Sequence, residues 1–106
     1  MSVVKINAIE VPAERADEMA RRFAARAGEV EKAEGFEEFQ LLRPDDDRTT
    51  WLVYTRWRDE DAFNAWVQSR AFGQGHAQRG EGGPVATGSE LWSFRVEQRE
   101  QAANAR

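Results

Sequence analysis

Residues 3–11 constrain the fold more than any other segment, because apolar side chains occupy both alternating faces of the run VVKINAIEV. β-Branched side chains are frequent in this run, which is typical of a β-strand. A strand that is apolar on both faces needs cover on both, so the pattern predicts a strand inside a layered sheet. Pro12 then ends the strand, since proline has no N–H for the sheet ladder.

Two helical patterns separate the strand patterns that follow. Residues 14–34 repeat apolar side chains at spacings of three and four, which predicts one long amphipathic helix closed by Gly35. Asp59 is a candidate N-cap for a second helix, whose apolar side includes Trp66. Each helix therefore has one face to bury against a sheet.

The remaining patterns complete the order βαββαβ. Residues 36–43 and 49–57 read as the strands of a hairpin, and residues 89–97 alternate apolar and polar side chains as a last strand. This order predicts an α+β, ferredoxin-like fold with helices on one face of an antiparallel sheet. We expect a single domain over residues 1–97 and a polar C-terminal tail over residues 98–106.

The sheet face opposite the helices also needs cover. The first and last strands carry rows of apolar side chains with more surface than two helices can cover. A second copy of the sheet is the simplest cover for the rest. The sequence therefore predicts a homodimer that closes a shared α+β barrel. The residues of these rows are Val4, Ile6, Ala8, Trp92, Phe94 and Val96.

Composition excludes several functions. The chain has 15 basic and 19 acidic residues and a net charge of −4, which argues against nucleic acid as a partner. It has no cysteine, so thiolate catalysis and iron–sulfur ligation are excluded. No apolar run is long enough to cross a bilayer, and no signal-peptide pattern follows Met1, so we expect no membrane partner and a cytoplasmic location.

His76 is the only histidine of the chain, and it lies in the glycine-rich run GQGHAQRG. On a helical turn Phe72 and Gly73 lie on the same side as His76, which leaves room for a flat ligand to reach the imidazole. An axial haem ligand needs such access. The alternative is a surface or capping histidine, whereas catalytic zinc is disfavoured because it usually needs three protein ligands.

Asn7 lies in the middle of the first strand, where asparagine is disfavoured. A buried carboxamide without partners costs a few kcal/mol, so something must hydrogen-bond it. Two alternatives remain open at this point: a bond to neighbouring backbone, or a polar role in a ligand pocket.

The two helices carry further candidates for a pocket. On the first helix the apolar Phe23 lies beside the cations Arg22 and Arg26, a combination that suits an apolar disc with two carboxylates, as haem is. Trp66 lies ten residues before His76, which allows indole and imidazole to border one cavity. The alternatives are core packing for the rings and ion pairs with glutamates for the arginines.

The run WRDEDAFNAWVQSRAFGQGH, with the segments VVKINAIEVPA, GFEEFQLLRP and PVATG, resembles the IsdG-type haem-degrading monooxygenases of the antibiotic biosynthesis monooxygenase superfamily. The resemblance covers residues 3–96 and is strongest to the actinobacterial members. It rests on the spacing of Trp57, Asp59, Phe63, Trp66, Ser69, Phe72 and His76.

The resemblance implies a dimeric α+β barrel that uses haem as substrate and cofactor, with O2 and an electron-donating reductase. It implies that His76 is the proximal iron ligand and Asn7 the distal polar residue. It implies that Trp66 presses on the porphyrin and buckles it, while Phe23 and Arg26 line the haem pocket. By their positions beside these residues, Arg22 and Phe72 are also expected to contact haem.

Two features leave details of this function open. Gly75 stands where the family commonly has alanine, and the spacing from Trp66 to His76 follows the staphylococcal type, which leaves the identity of the product open. A cofactor-independent oxygenase of an aromatic or quinone-like metabolite is one alternative. A haem-binding protein without catalytic activity is the other.

Overall fold

The computed structural model describes residues 1–25, 28, 30–69 and 87–102. Within them the chain forms β1 (Val3–Glu10), α1 (Ala16–Ala25), β2 (Phe36–Leu42), β3 (Thr50–Trp57), α2 (Glu60–Val67) and β4 (Gly88–Arg95). Short 3-10 turns precede and follow α1 at Ala13–Arg15 and Val30–Lys32. The predicted βαββαβ order is confirmed.

The strands form one antiparallel sheet in the order β2-β3-β1-β4. β1 pairs with β3 from Val3 opposite Trp57 to Glu10 opposite Thr50, and it pairs with β4 on its other edge. β1 is therefore an interior strand of the sheet. Because successive side chains alternate between faces, residues 5, 7 and 9 share one face and residues 4, 6 and 8 share the other.

The prediction of one helix over residues 14–34 is wrong. The α-helix is limited to Ala16–Ala25, and Gly28 has a φ of 98°, in the left-handed region that a right-handed helix cannot contain. Apolar residues continue at helical spacing beyond this point, but the glycine conformation interrupts the backbone. Gly35, predicted to close the helix, also has a positive φ, of 83°, and begins the turn into β2.

α1 packs on one end of the sheet. Met19 of α1 is buried against Ile9, Val11 and Trp51, and Phe23 packs against the edge of this cluster. Burying apolar surface is the main source of stability here, since the cluster contains no charged side chain.

α2 packs on the opposite end. The predicted N-cap is confirmed, because the Asp59 carboxylate accepts a hydrogen bond of 2.9 Å from the Ala62 N–H. Trp57 is fully buried beneath α2, and its ring contacts those of Phe63 and Trp66, each with a centroid distance of 5.7 Å. Among the described helices, none is both long and apolar enough to cross a membrane.

The face of the sheet that lies opposite the helices carries the predicted apolar rows. Val4 pairs with Phe94 and Ile6 pairs with Trp92 across the ladder between β1 and β4. Phe94 is 49% exposed and Trp92 38% exposed, so this face presents large apolar rings to its surroundings. Cover by a second copy stays a prediction.

Candidate active site between the two helices

β1 supplies the floor of the candidate site. On its helix-facing side, Ile9 packs in the cluster below α1, while Lys5 contacts Glu60 and Phe63 of α2. Asn7 lies between these two residues and is half-buried. Alternate residues of a strand are about 7 Å apart, so Asn7 occupies the gap between the two covered ends.

Like β1, β3 has one end covered by α1 and the other end covered by α2. Trp51 lies under α1, and Trp57 lies under α2. Trp51 and Trp57 are six residues apart, about 20 Å along the strand, so the middle of the sheet lies between the two covered ends. We call this middle part, around Asn7 and Val53, the cleft. Val53, which pairs with Asn7, belongs to its floor and packs against the cluster of α1.

The α1 side of the cleft contains two of the predicted site residues. Phe23 lies in the last turn of α1 and packs, with Val53, against the same cluster, which places its ring on the side of the sheet that carries Asn7. The Arg22 guanidinium donates to the Glu18 carboxylate at 2.8 Å, as the ion-pair alternative expected. Arg26 lies outside the described residues.

The Glu18 carboxylate beside Arg22 is held ionised by its neighbours. Hydrogen bonds from Arg15 and then from Arg22 hold the pKa of Glu18 below its usual value. Glu18 is therefore an anion that pairs with both arginines at ordinary pH.

The α2 side presents Trp66. This half-buried indole lies against the fully buried Trp57, with an angle of 36° between the rings. Phe36 and Phe63 meet Trp57 edge-on at centroid distances of 5.4 and 5.7 Å. Trp66 also borders a groove between α2 and the 3-10 turn at Val30–Lys32. Trp66 is thus held from behind by a packed cluster of rings.

The β4 edge completes the described part of the site. Leu91 pairs with Asn7 and is 58% exposed, and Ser93 pairs with Lys5. The segment that follows α2, which contains Phe72 and His76, lies outside the described residues, as all of residues 70–86 do. The structure therefore brings Asn7, Phe23 and Trp66 to one side of the sheet and leaves the position of the other predicted residues untested.

The Asn7 carboxamide distinguishes this cleft from an ordinary core. Within the described part of the chain, no residue forms a hydrogen bond with its side chain, so the alternative of a bond to neighbouring backbone has no support there. The residue is half-buried, and its amide atoms are not among the fully buried side-chain atoms of the described residues, so they stay open to solvent or to a ligand. It is an available donor and acceptor for a ligand.

Sequence reasoning missed Lys5. Its side chain is only 5% exposed, and its ammonium nitrogen lies 2.8 and 2.9 Å from the two carboxylate oxygens of Glu60. It also donates to the Ser93 hydroxyl at 2.6 Å and lies 4.9 Å from the centre of the Phe63 ring. A lysine inside an apolar strand is unusual and could have indicated this site. Its partners Glu60 and Ser93 are distant in the sequence, so local patterns do not reveal them.

The described residues of the cleft suit binding more than acid–base work. They offer aromatic and aliphatic walls and one carboxamide, and the nearby ammonium of Lys5 already has a carboxylate partner. Such a set can hold and orient a flat, mostly apolar molecule.

Comparisons with known proteins relate this sequence to one family. Residues 2–78 match the family model described as antibiotic biosynthesis monooxygenase. A haem oxygenase (mycobilin-producing) of Mycobacterium tuberculosis is 47% identical over 96 residues, which cover 91% of this chain and 90% of that protein.

Two solved structures have a fold similar to that of this chain. The haem degrader MhuD of M. tuberculosis, with two haems bound in its active site, superposes with a TM-score of 0.82 at 44% identity, covering 93% of this chain and 99% of that one. A variant of SnoaB, a cofactor-independent oxygenase from Streptomyces nogalater, gives a TM-score of 0.74 at 26% identity, covering 92% and 95%.

Proposed function

We propose, from the premise that the chain belongs to the antibiotic biosynthesis monooxygenase family, that it is a haem-degrading monooxygenase. Haem is its substrate and its cofactor, O2 is the second substrate, and the product is an opened tetrapyrrole with free iron. The 47% identity to a haem oxygenase over nearly the whole chain supports this assignment.

The observation that carries the proposal is the half-buried Asn7 amide on the floor of an apolar cleft. In support, Phe23 packs on the cluster below α1, Trp66 packs on Trp57 at the α2 end of the sheet, and Leu91 pairs with Asn7. A porphyrin is a flat apolar disc that needs a polar group close to its centre, and these residues supply both kinds of contact.

Each residue of the proposed site has a distinct role. His76 would hold the haem iron, and Asn7 would offer its amide as a hydrogen-bonding group to the bound molecule. Trp66, supported from behind by Trp57, presses on the ring and distorts it. Phe23 stacks against the ring, as Phe72 does. Bound haem supplies the iron that activates O2 and the carbon atoms that are oxidised.

Charge also contributes to binding. Arg22 and Arg26 bind the two carboxylates of haem, and Arg22 leaves Glu18 to do so. Because an exposed ion pair contributes little to stability, the exchange of one carboxylate partner for another has a low cost.

The assembly and the source of electrons are part of the proposal. Two copies join through the sheet face that carries Trp92 and Phe94, because these rings are exposed in the single chain. The dimer works in the cytoplasm, and an external reductase donates the electrons. The relative named for mycobilin makes a product of that class the first expectation.

A haem titration tests the function. The haem-free protein should give a histidine-ligated Soret band on addition of haem, His76→Ala should abolish that band, and Gln78→Ala in the same segment should keep it. A reductant with O2 should then bleach the band and yield an opened tetrapyrrole, whose mass reveals the fate of the lost carbon.

Each alternative function predicts a different result. If no Soret band forms, the chain is instead a cofactor-independent oxygenase, the class to which SnoaB belongs. If the band forms but does not bleach, the protein binds haem without degrading it, and the monooxygenase assignment is wrong.

A further inference from the structure

Lys5 is the buried charged residue among those that the structure describes, and it lies two residues from Asn7 on the same face of β1. Its ammonium group joins three elements. It contacts Glu60 in the first turn of α2, Ser93 on β4 and the ring of Phe63 on α2. No role follows for it from the haem contacts proposed above.

Stability does not account for this lysine. Burying an ammonium group costs several kcal/mol, and a buried ion pair often contributes no more than a well-packed apolar side chain of the same size. Glu60 is 53% exposed, so this carboxylate would be hydrated without its partner. A methionine could fill the same space beside Phe63 at little cost in stability.

The ion pair between Lys5 and Glu60 fixes the position of α2 on the sheet. Apolar packing of α2 on the sheet allows small sliding movements, whereas two short contacts to one carboxylate fix the first turn of the helix. Phe63 lies about one turn beyond Glu60 and Trp66 about one turn beyond Phe63, so all three residues belong to the same short rigid helix. Fixing the first turn therefore fixes the distance from Trp66 to the floor of the cleft.

We infer that Lys5 is a positioning residue, which anchors α2 to β1 and β4 and thereby sets the place of Trp66 relative to Asn7. The inference rests on the proposed function for its catalytic consequence. Its structural part can be tested in the haem-free chain.

Arg43 is a matched control. Its guanidinium donates to Asp17 at 3.1 Å and lies 5.4 Å from the ring of Trp51. It therefore joins a strand end to α1 with an ion pair and an aromatic contact, as Lys5 joins β1 to α2. Arg43→Met should leave Trp66 unmoved.

The experiment measures the indole N–H signals of the haem-free protein by NMR, in which the four tryptophans give four signals. Trp66→Phe identifies the signal of Trp66. Lys5→Met should shift that signal while keeping the midpoint of thermal unfolding within about 5 °C of the wild type. Glu60→Ala should shift it in the same direction, and the double variant should add little to either, because both remove one interaction.

Haem binding and turnover complete the test. Lys5→Met should bind haem within about twofold of the wild-type affinity, yet turn it over about tenfold more slowly, because Trp66 is displaced from the ring. A Trp66 signal that stays where Arg43→Met leaves it would overturn the inference. If Lys5→Met fails to fold, Glu60→Ala decides the same question. Failure of the proposed function would appear separately, as a wild type that gives no Soret band or no bleaching.

Discussion

The two ends of the sheet are covered in different ways. Under α1, Met19, Ile9 and Trp51 form an apolar cluster without charged members. Under α2, the fully buried Trp57 shares its end of the sheet with the buried ammonium of Lys5. An apolar cluster stabilises the fold through the apolar area that it buries, which changes little when a helix shifts slightly. An ion pair needs its two charged groups close together, so it stabilises one position of the helix. The α1 end also has an ion pair, between Arg43 and Asp17, but that pair is exposed, whereas the ammonium group of Lys5 at the α2 end is buried.

The largest expected effects test this contrast directly. Trp51→Ala and Trp57→Ala should each lower the free energy of unfolding by about 3–5 kcal/mol, since both indoles are buried. Urea denaturation measures the loss. The two variants should differ in the indole spectrum, where only Trp57→Ala moves the signal of Trp66. Equal shifts in both variants would show that the two ends are coupled and would contradict the comparison.

A smaller effect is expected at the start of β2. Gly35 has a φ of 83°, and a Cβ at this position would overlap the Cβ of Ala62 on α2. Gly35→Ala should therefore cost about 1–3 kcal/mol and push α2 outward. Gly28→Ala is the control, because Gly28 has a positive φ but open space around it. If both substitutions cost the same, the contact with α2 is unimportant.

A substitution in the cleft should not lower the free energy of unfolding, in contrast to the substitutions at the two ends of the sheet. Asn7→Leu removes an amide that has no partner among the described residues, so it should leave stability unchanged or raise it by up to about 1 kcal/mol. Turnover of haem should fall in the same variant. A clear loss of stability by thermal denaturation would instead assign Asn7 to the structural framework.

The smallest effect concerns pH at the first turn of α2. The hydrogen bond from the Ala62 N–H, with help from Arg58, holds the pKa of Asp59 below its usual value of about 4. The stabilisation by this carboxylate is therefore present above pH 4 and is lost as the pH falls through the lowered pKa. Asp59→Ala should lower the unfolding temperature more at pH 7 than at pH 2, and Asp61→Ala should show a smaller difference between these pH values.

Local patterns predicted the strands and the second helix well, because their signals are contained in neighbouring residues. The alternation in β1 and the capping carboxylate of Asp59 are examples. The length of α1 was wrong because the apolar spacing continues through Gly28, while the backbone there adopts a left-handed conformation. Side-chain periodicity alone does not report backbone angles.

The candidate site was predictable to the extent that single residues are unusual in their local setting. Asn7 is unusual in an apolar strand, and the structure places it on the helix-facing floor of the cleft. Lys5 was overlooked, since its meaning depends on Glu60, 55 residues away. The predicted roles of Arg26, Phe72 and His76 stay predictions, because these residues lie outside the described part of the chain.

The alternation of β1 has a consequence for how the chain can change in evolution. One set of its side chains faces the ligand cleft, while the set between them faces the surface proposed to join two copies. Inserting or deleting one residue within the strand would exchange the two sets beyond that point and disturb recognition and assembly together. Changes in length inside β1 are therefore tolerated only in pairs, and single-residue indels should be confined to the turns at its ends.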